Sequence, residues 1–175
     1  MGDLARTSAL SSRAIAVDTE TAKFDRAFMA PYIVCLQWGT PDGQHAVVPT
    51  AGVRDAIEWI FGIDPATSPP QARFDQIWFH NGPYDIACIL EWYPDVAPDA
   101  FERGAFLDTM YLQRMIQIAN GEMAGPLGLD MVAPRWGLPA PDKHIEATHP
   151  DHPGVHDVRT SFGLWYGADE IPEPW

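Results

Sequence analysis

Positive charge is scarce in this chain. Lysine and arginine together number 11 against 24 acidic residues, for a formal net charge of −13, and the only lysines are Lys23 and Lys143. That balance excludes a protein that grips nucleic acid by neutralising many phosphates. It leaves room for one that meets phosphates through bound cations, with weak grip or with a partner that supplies it, and equally for a plain acidic surface. Cysteine is nearly absent too: Cys35 and Cys88 stand in apolar runs with no CxxC or Cys/His spacing, so both read as buried thiols of a reducing, cytoplasmic compartment. No apolar run approaches the roughly 18 residues that cross a bilayer, and the N-terminus has no apolar h-region. Arg6 stands where a myristoylation signal needs Ser or Thr.

What remains describes an ordinary globular chain: 46% hydrophobic, 20% charged and 175 residues long, enough for one core. We expect a loosely held tail over 1–12, a single domain over 13–167 and a C-terminal tail over 168–175. Strands are expected at Ala14–Thr19, Ile33–Trp38 and His45–Val48, with PDG (41–43) turning the chain between the last two. A helix should follow over Val53–Phe61, stopped by Gly62, and then the breaker-rich loop DPATSPPQA. IWFHN (77–81) reads as a strand running into the helix GPYDIACILEWY, with Pro83 in its first turn and Asn81 or Gly82 as its cap. After a proline-marked loop at 94–104, a strand Ala105–Leu107 should give way to a helix Met110–Ile118. LGLDMVAPRWG suggests one short helix, 138–154 a long loop, and Val155–Tyr166 the last helix. Three antiparallel strands and then alternating helix and strand is the order of a ribonuclease-H-like α/β fold with a mixed central sheet.

Within that frame AIAVDTET (14–21) ends an apolar strand in two carboxylates, Asp18 and Glu20. Side chains two apart on a strand share a face, so this pair suits a hard divalent cation, although acid pairs at strand ends are also common. Asp85 falls in the first turn of the helix after a core strand, where the helix dipole favours a carboxylate; a mere capping role fits as well. His152 precedes Asp157 by five positions, at the start of the last expected helix, with Asp157, Thr160, Ser161 and Leu164 on one face. A loop histidine there suits general-base work. The same spacing recurs by chance at His80 and Asp85. Asp108, followed by Thr109 and a helix, reads as an N-cap rather than a further ligand. Trp38, Trp59 and Trp78 read as core, as do Cys35 and Met110.

Together these residues resemble the DEDD (DnaQ-like) family of 3′→5′ exonucleases in its histidine-bearing subclass, the group of the proofreading epsilon subunit and RNase T. The first motif matches at Asp18-Thr19-Glu20-Thr21, the second at His80-Asn81-x-x-Tyr84-Asp85-Ile86, and the third at His152-x-Gly154-x-x-Asp157-x-x-Thr160-x-x-x-Leu164. FLDTMYLQRM (106–115) and LGLDMVAPRWGLPAP (127–141) look like the family's connecting segments, so the likeness spans about residues 14–166. Lys23 follows Ala22 where the family often has glycine, Gly82-Pro83 is stiffer than the usual pair, and Gly154 replaces an alanine. The tyrosine-bearing subclass needs YxxxD, but Tyr166 meets Glu170 at that spacing, with Asp169 one residue early; the histidine assignment is therefore preferred.

The resemblance implies a metal-dependent exonuclease removing nucleoside 5′-monophosphates from single-stranded ends, with DNA favoured. Asp18, Glu20, Asp85 and Asp157 would hold two Mg²⁺ or Mn²⁺ ions, and His152 would take a proton from the attacking water. Thr19, Thr21, His80 and Asn81 would contact substrate or support the site. An exoribonuclease, a proofreading or scaffold subunit whose main task is binding a polymerase, and an inactive relative are the alternatives. Small size and the lack of a polymerase-like region suggest a free-standing enzyme or subunit of phage or bacterial origin.

Overall fold

A computed structural model of the chain describes residues 13–23, 30–64, 66–69, 71–96, 98–122, 125–140, 152 and 162–169. The described residues form seven strands: β1 (Ala14–Thr21), β2 (Ile33–Gly39), β3 (His45–Pro49), β4 (Ile63–Asp64), β5 (Gln71–Ala72), β6 (Gln76–Phe79) and β7 (Phe106–Asp108). The helices are α1 (Val53–Phe61), α2 (Gly82–Trp92), α3 (Pro98–Glu102), α4 (Thr109–Ala119) and α5 (Leu129–Val132), with 3₁₀ turns at Thr50–Gly52, Ala133–Trp136 and Phe162–Trp165. The central sheet has the order β3-β2-β1-β6-β7. Its first three strands are antiparallel, and β1, β6 and β7 run parallel. The mixed sheet anticipated from the sequence is the one observed.

Alternation along β1 builds the architecture. Ile15, Val17 and Thr19 are buried on one face, where Ile15 and Val17 join Leu36, Ile77 and Phe79 and the apolar stripes of α1 and α2 (Ile57, Ile60, Phe61, Cys88, Ile89) in the main core. Ala16, Asp18 and Glu20 occupy the opposite face. The β2–β3 hairpin closes at PDG: the Gly43 amide donates to the Thr40 carbonyl at 3.0 Å, and Gly43 takes the positive φ of 88° that such a turn favours in glycine. Helix α1 spans the expected residues and stops at Gly62, whose amide donates back to the Glu58 carbonyl at 3.0 Å.

Elsewhere the structure departs from expectation for local reasons. β6 ends at Phe79, two residues early, because Asn81 adopts a left-handed φ of 69°. The breaker-rich loop holds β5, which pairs with β4 and is pinned by Arg13. Its guanidinium donates to the Gln71 side chain (2.8 Å) and to the Arg73 carbonyl (3.4 Å), and pairs with Asp75. The proline-marked loop contains α3. LGLDMVAPRWG forms α5 followed by a 3₁₀ turn, since Pro134 brings no N–H to continue the α-helical ladder. Of the expected last helix, 155–161 lie outside the described residues and Phe162–Trp165 is a 3₁₀ turn. The 1–12 tail lies outside them as well. Among the described residues no helix is long and apolar enough to cross a membrane.

Candidate active site

The two acids of β1 lie in register with residues of the middle antiparallel pair: Asp18 opposite Gln37 and Glu20 opposite Cys35, with the ladder slipping between Glu20 and Thr21. A bulge of that kind bends a strand and re-aims its side chains, here directly beside the acid pair. The Cys35 thiol registers the local charge. Burial pushes its pKa up to about 12, and the carboxylates of Glu20 and Asp18 push in the same direction.

Asp85 approaches from the helical side. It is 3% exposed, in the first turn of α2. Its Oδ1 accepts two bonds from one residue of β1: the Thr19 amide donates at 3.0 Å and the Thr19 hydroxyl at 2.6 Å. Burial raises the Asp85 pKa to about 7, the Asp18 charge adds to that rise, and the two Thr19 donors oppose it. Asp85, on the helix beside β1, thus lies within electrostatic reach of Asp18, with Glu20 two residues further along the strand. A carboxylate pushed toward neutrality by burial and by a neighbouring acid is a group that a cation would return to its charged form. The donors are all oxygen, as hard divalent ions require. Among the described residues, however, no cluster of three His, Cys, Asp or Glu side chains is close enough to hold an ion by itself.

The sequence leaves the support of this site unread. The α2 N-terminus is not capped by Asn81 or Gly82: the Asn81 side chain makes no capping bond. Asp108 does the work instead, from the end of β7. Its Oδ2 accepts from the Gly82 amide at 2.8 Å and its Oδ1 from Asn81 at 3.3 Å, while the same Oδ1 accepts from Met110 (2.7 Å) and Tyr111 (3.3 Å) at the start of α4. One carboxylate therefore ties two helix N-termini together. Gly82 is required at this junction, because a Cβ there would lie 2.8 Å from Phe79 Cβ. The cap role expected of Asp108 is observed, on two helices rather than one.

His80 is tied to the same junction. The Thr109 hydroxyl donates to the Phe79 carbonyl at 3.1 Å, so its oxygen accepts from His80 Nδ1 at 2.8 Å. The other ring nitrogen, Nε2, is buried and has no hydrogen-bond partner among the described residues. His80 lines a largely apolar cavity of about 760 Å³ on the face opposite α1 and α2, together with Asp18, Gly39, His45, Trp78 and Leu129. Trp78 is thus half-buried on that face, not in the main core as expected. Trp38 and Trp59 do pack on the core, ring centroids 5.2 Å apart.

Thr19 is buried with its hydroxyl committed to Asp85, and the Thr21 hydroxyl bonds the Tyr84 phenol at 2.7 Å. Tyr84 entered the sequence reading only as part of a motif; nothing in the sequence alone marks its contact with Thr21. His152 is exposed and forms a single β-bridge residue. Asp157, Thr160, Ser161 and Gly154 lie outside the described residues.

No protein-family model matches the sequence, and no curated protein matches it. Solved structures do. The chain is similar to Escherichia coli RNase D, an exoribonuclease involved in structured RNA processing, at 17% identity and a TM-score of 0.53, over 91% of this chain and 33% of that one. It is similar to the EXO domain of Aedes aegypti Nibbler at 14% identity and a TM-score of 0.54, over 94% of this chain and 70% of that one. The fold is that of the ribonuclease-H-like exonucleases. The chain spans only a third of the length of RNase D. In this fold β1 is the central strand, and Asp18, Glu20 and Asp85 stand where its carboxyl end meets the first turn of α2.

Proposed function

We propose that this chain is a metal-dependent 3′→5′ exonuclease of the histidine-bearing DEDD type, hydrolysing terminal phosphodiesters of single-stranded nucleic acid to nucleoside 5′-monophosphates. The observation that carries the reading is the junction of Asp18 and Glu20 on β1 with Asp85, buried and raised in pKa beside Asp18, in a sheet of exonuclease fold. Asp18, Glu20, Asp85 and Asp157 would hold two Mg²⁺ or Mn²⁺ ions. When bound, such ions stabilise both the attacking and the leaving oxygens of an in-line displacement. The protein's own groups orient and exchange protons: His152 accepts the proton of the attacking water, and Thr19 holds Asp85 in place through its amide and hydroxyl. Thr21, Asn81 and His80 are assigned to contact substrate or support the site. The acidic composition supports an enzyme that contacts few phosphates directly or works beside a partner such as a polymerase.

RNA stands beside DNA as substrate, because one neighbour of this fold is described as an exoribonuclease. The test is a gel assay of the purified chain on 5′-labelled single-stranded DNA and RNA of matched sequence, with Mg²⁺, with Mn²⁺ and with EDTA. A ladder shortening from the 3′ end only in the presence of metal is the expected result, and the DNA-to-RNA ratio assigns the sugar. Cleavage that persists in EDTA, or no cleavage of either strand by a folded chain, would overturn the proposal.

A further inference from the structure

Helix α4 is inside out. In a helix packed on a domain the apolar stripe faces the core and the polar side faces water. Here Gln113 and Gln117 are buried, the latter 1% exposed, while Tyr111, Leu112, Met115 and Ile118 are exposed at 57%, 47%, 67% and 68%. Positions 111, 115 and 118 fall within one narrow stripe of a 3.6-residue helix and 112 flanks it, whereas 113 and 117 lie on the far side. The buried glutamines are held by polar partners: the Trp136 indole donates to Gln113 Oε1 at 3.0 Å, and Arg114 donates to Gln117 Oε1 at 2.9 Å. The Trp136 indole reaches Gln113 from outside the helix and holds that face inward, whereas the Arg114–Gln117 bond lies within α4.

The first of those bonds extends the patch, because it brings Trp136, 61% exposed, against α4, with Leu138 (61% exposed) two residues on. Single exposed apolar residues need no explanation, but a contiguous stripe does. These six side chains leave on the order of 700–800 Å² open to water, close to the about 800 Å² that each partner gives to a standard interface. Among the described residues beside the patch, Arg135 of the 3₁₀ turn pairs with Glu122 at 3.6 Å and Arg114 lies on α4 itself, so basic groups accompany the acids on this face. Two copies of a chain with net charge −13 repel over most of their surface. This is a place where they can meet without that cost.

We infer that the α4 face is a self-association surface, in which two copies of this chain pack α4 against α4 about a two-fold axis, with Trp136 and Leu138 extending the contact. A stripe running the length of one short helix is complementary to itself when the partner helix is antiparallel, which is the geometry that an isologous dimer needs. The assignment is independent of the nuclease reading and is tested without an activity assay.

The experiment is sedimentation equilibrium of the whole chain from about 1 to 100 μM, a range that spans typical weak and moderate dimers. The wild type should show a mass twice the 19.4 kDa of the chain. The double variant Met115→Glu/Ile118→Glu should sediment as a monomer, with its dissociation constant raised at least 100-fold and an unchanged far-ultraviolet circular dichroism spectrum. Ile63→Glu, which alters an exposed apolar residue of β4, should leave the dimer intact. If the double variant unfolds, Met115→Gln alone must weaken the dimer at least tenfold. A wild type that is monomeric at 100 μM overturns the inference, as does a folded double variant that dimerises like the wild type.

Discussion

Asp108→Asn is the most informative single change that the structure offers. The carboxylate serves two helices through different oxygens: Oδ1 receives Met110 and Tyr111 of α4 and the weaker Asn81 contact, while Oδ2 receives Gly82 of α2 at 2.8 Å. An asparagine that keeps its oxygen at the Oδ1 position preserves the α4 cap and turns an N–H₂ group against the Gly82 amide. The bond lost is a charge-assisted one, about 1.5–3 kcal/mol. Asp108→Ala removes the α4 cap as well, a further ~1 kcal/mol, and leaves the junction without any acceptor, for a total of roughly 3–5 kcal/mol. At about 2–4 °C per kcal/mol for a domain of this size, the asparagine variant should melt ~3–12 °C below the wild type and the alanine variant ~6–20 °C below it. The assay is thermal unfolding by circular dichroism, paired with urea titration of each form. An asparagine variant as stable as the wild type would show that the Oδ2 bond contributes nothing. Asparagine and alanine variants of equal stability would refute the division of labour between the two oxygens.

Other outcomes follow from the same geometry. Asp85 has its pKa raised from 3.8 to about 7, so the proton favours the folded state; that stability is fully present below pH ~4 and is lost as pH rises through about 7, by on the order of 4 kcal/mol. Asp85→Asn keeps the Oδ1 acceptor for Thr19, so without divalent cations it should melt above the wild type at pH 8 and show a flatter profile between pH 5 and 8; parallel profiles would refute this. Asp18→Ala should abolish metal-dependent cleavage while leaving the fold intact by circular dichroism, and should lower the Asp85 pKa as measured by carboxyl NMR titration. His152→Ala should slow cleavage roughly 10²–10⁴-fold with little change in Mg²⁺ affinity, the loss expected of a general base, and unchanged turnover would remove it from that role. Gly82→Ala should cost roughly 1–3 kcal/mol in urea denaturation, because its Cβ would press on Phe79 at 2.8 Å.

The parts of the fold readable from sequence are those in which local chemistry and tertiary packing agree. The period-two burial of AIAVDTET, the PDG turn and the VRDAIEWIF helix with its glycine stop all appear with nearly the expected bounds. Where a distant residue decides the outcome, the sequence is silent. Asn81 and Gly82 look like caps, yet the cap comes from Asp108, 26 residues beyond Gly82. Thr19 looks like a substrate contact, yet its hydroxyl is taken by Asp85, 66 residues away. Trp78 reads as core from its apolar neighbours, but its register opposite Ala16 places it on the cavity face. In α4 the apolar residues 111, 112, 115 and 118 keep good helical spacing, so the helix is legible while its orientation is not; that depends on contacts from outside the helix, such as the Trp136 indole on Gln113.

The most interior strand of the sheet also carries the acids. β1 has ladder partners on both sides, β2 and β6, so its amides should exchange with solvent only when the whole domain opens. Its two faces divide labour by residue parity: Ile15, Val17 and Thr19 answer to the core and to Asp85, Asp18 and Glu20 to the proposed metal site. Sequence drift along β1 is therefore read by two separate selections on alternate letters. A descendant that kept one set and lost the other would be either a silent scaffold of unchanged shape or a chain whose acids had no stable strand to hold them.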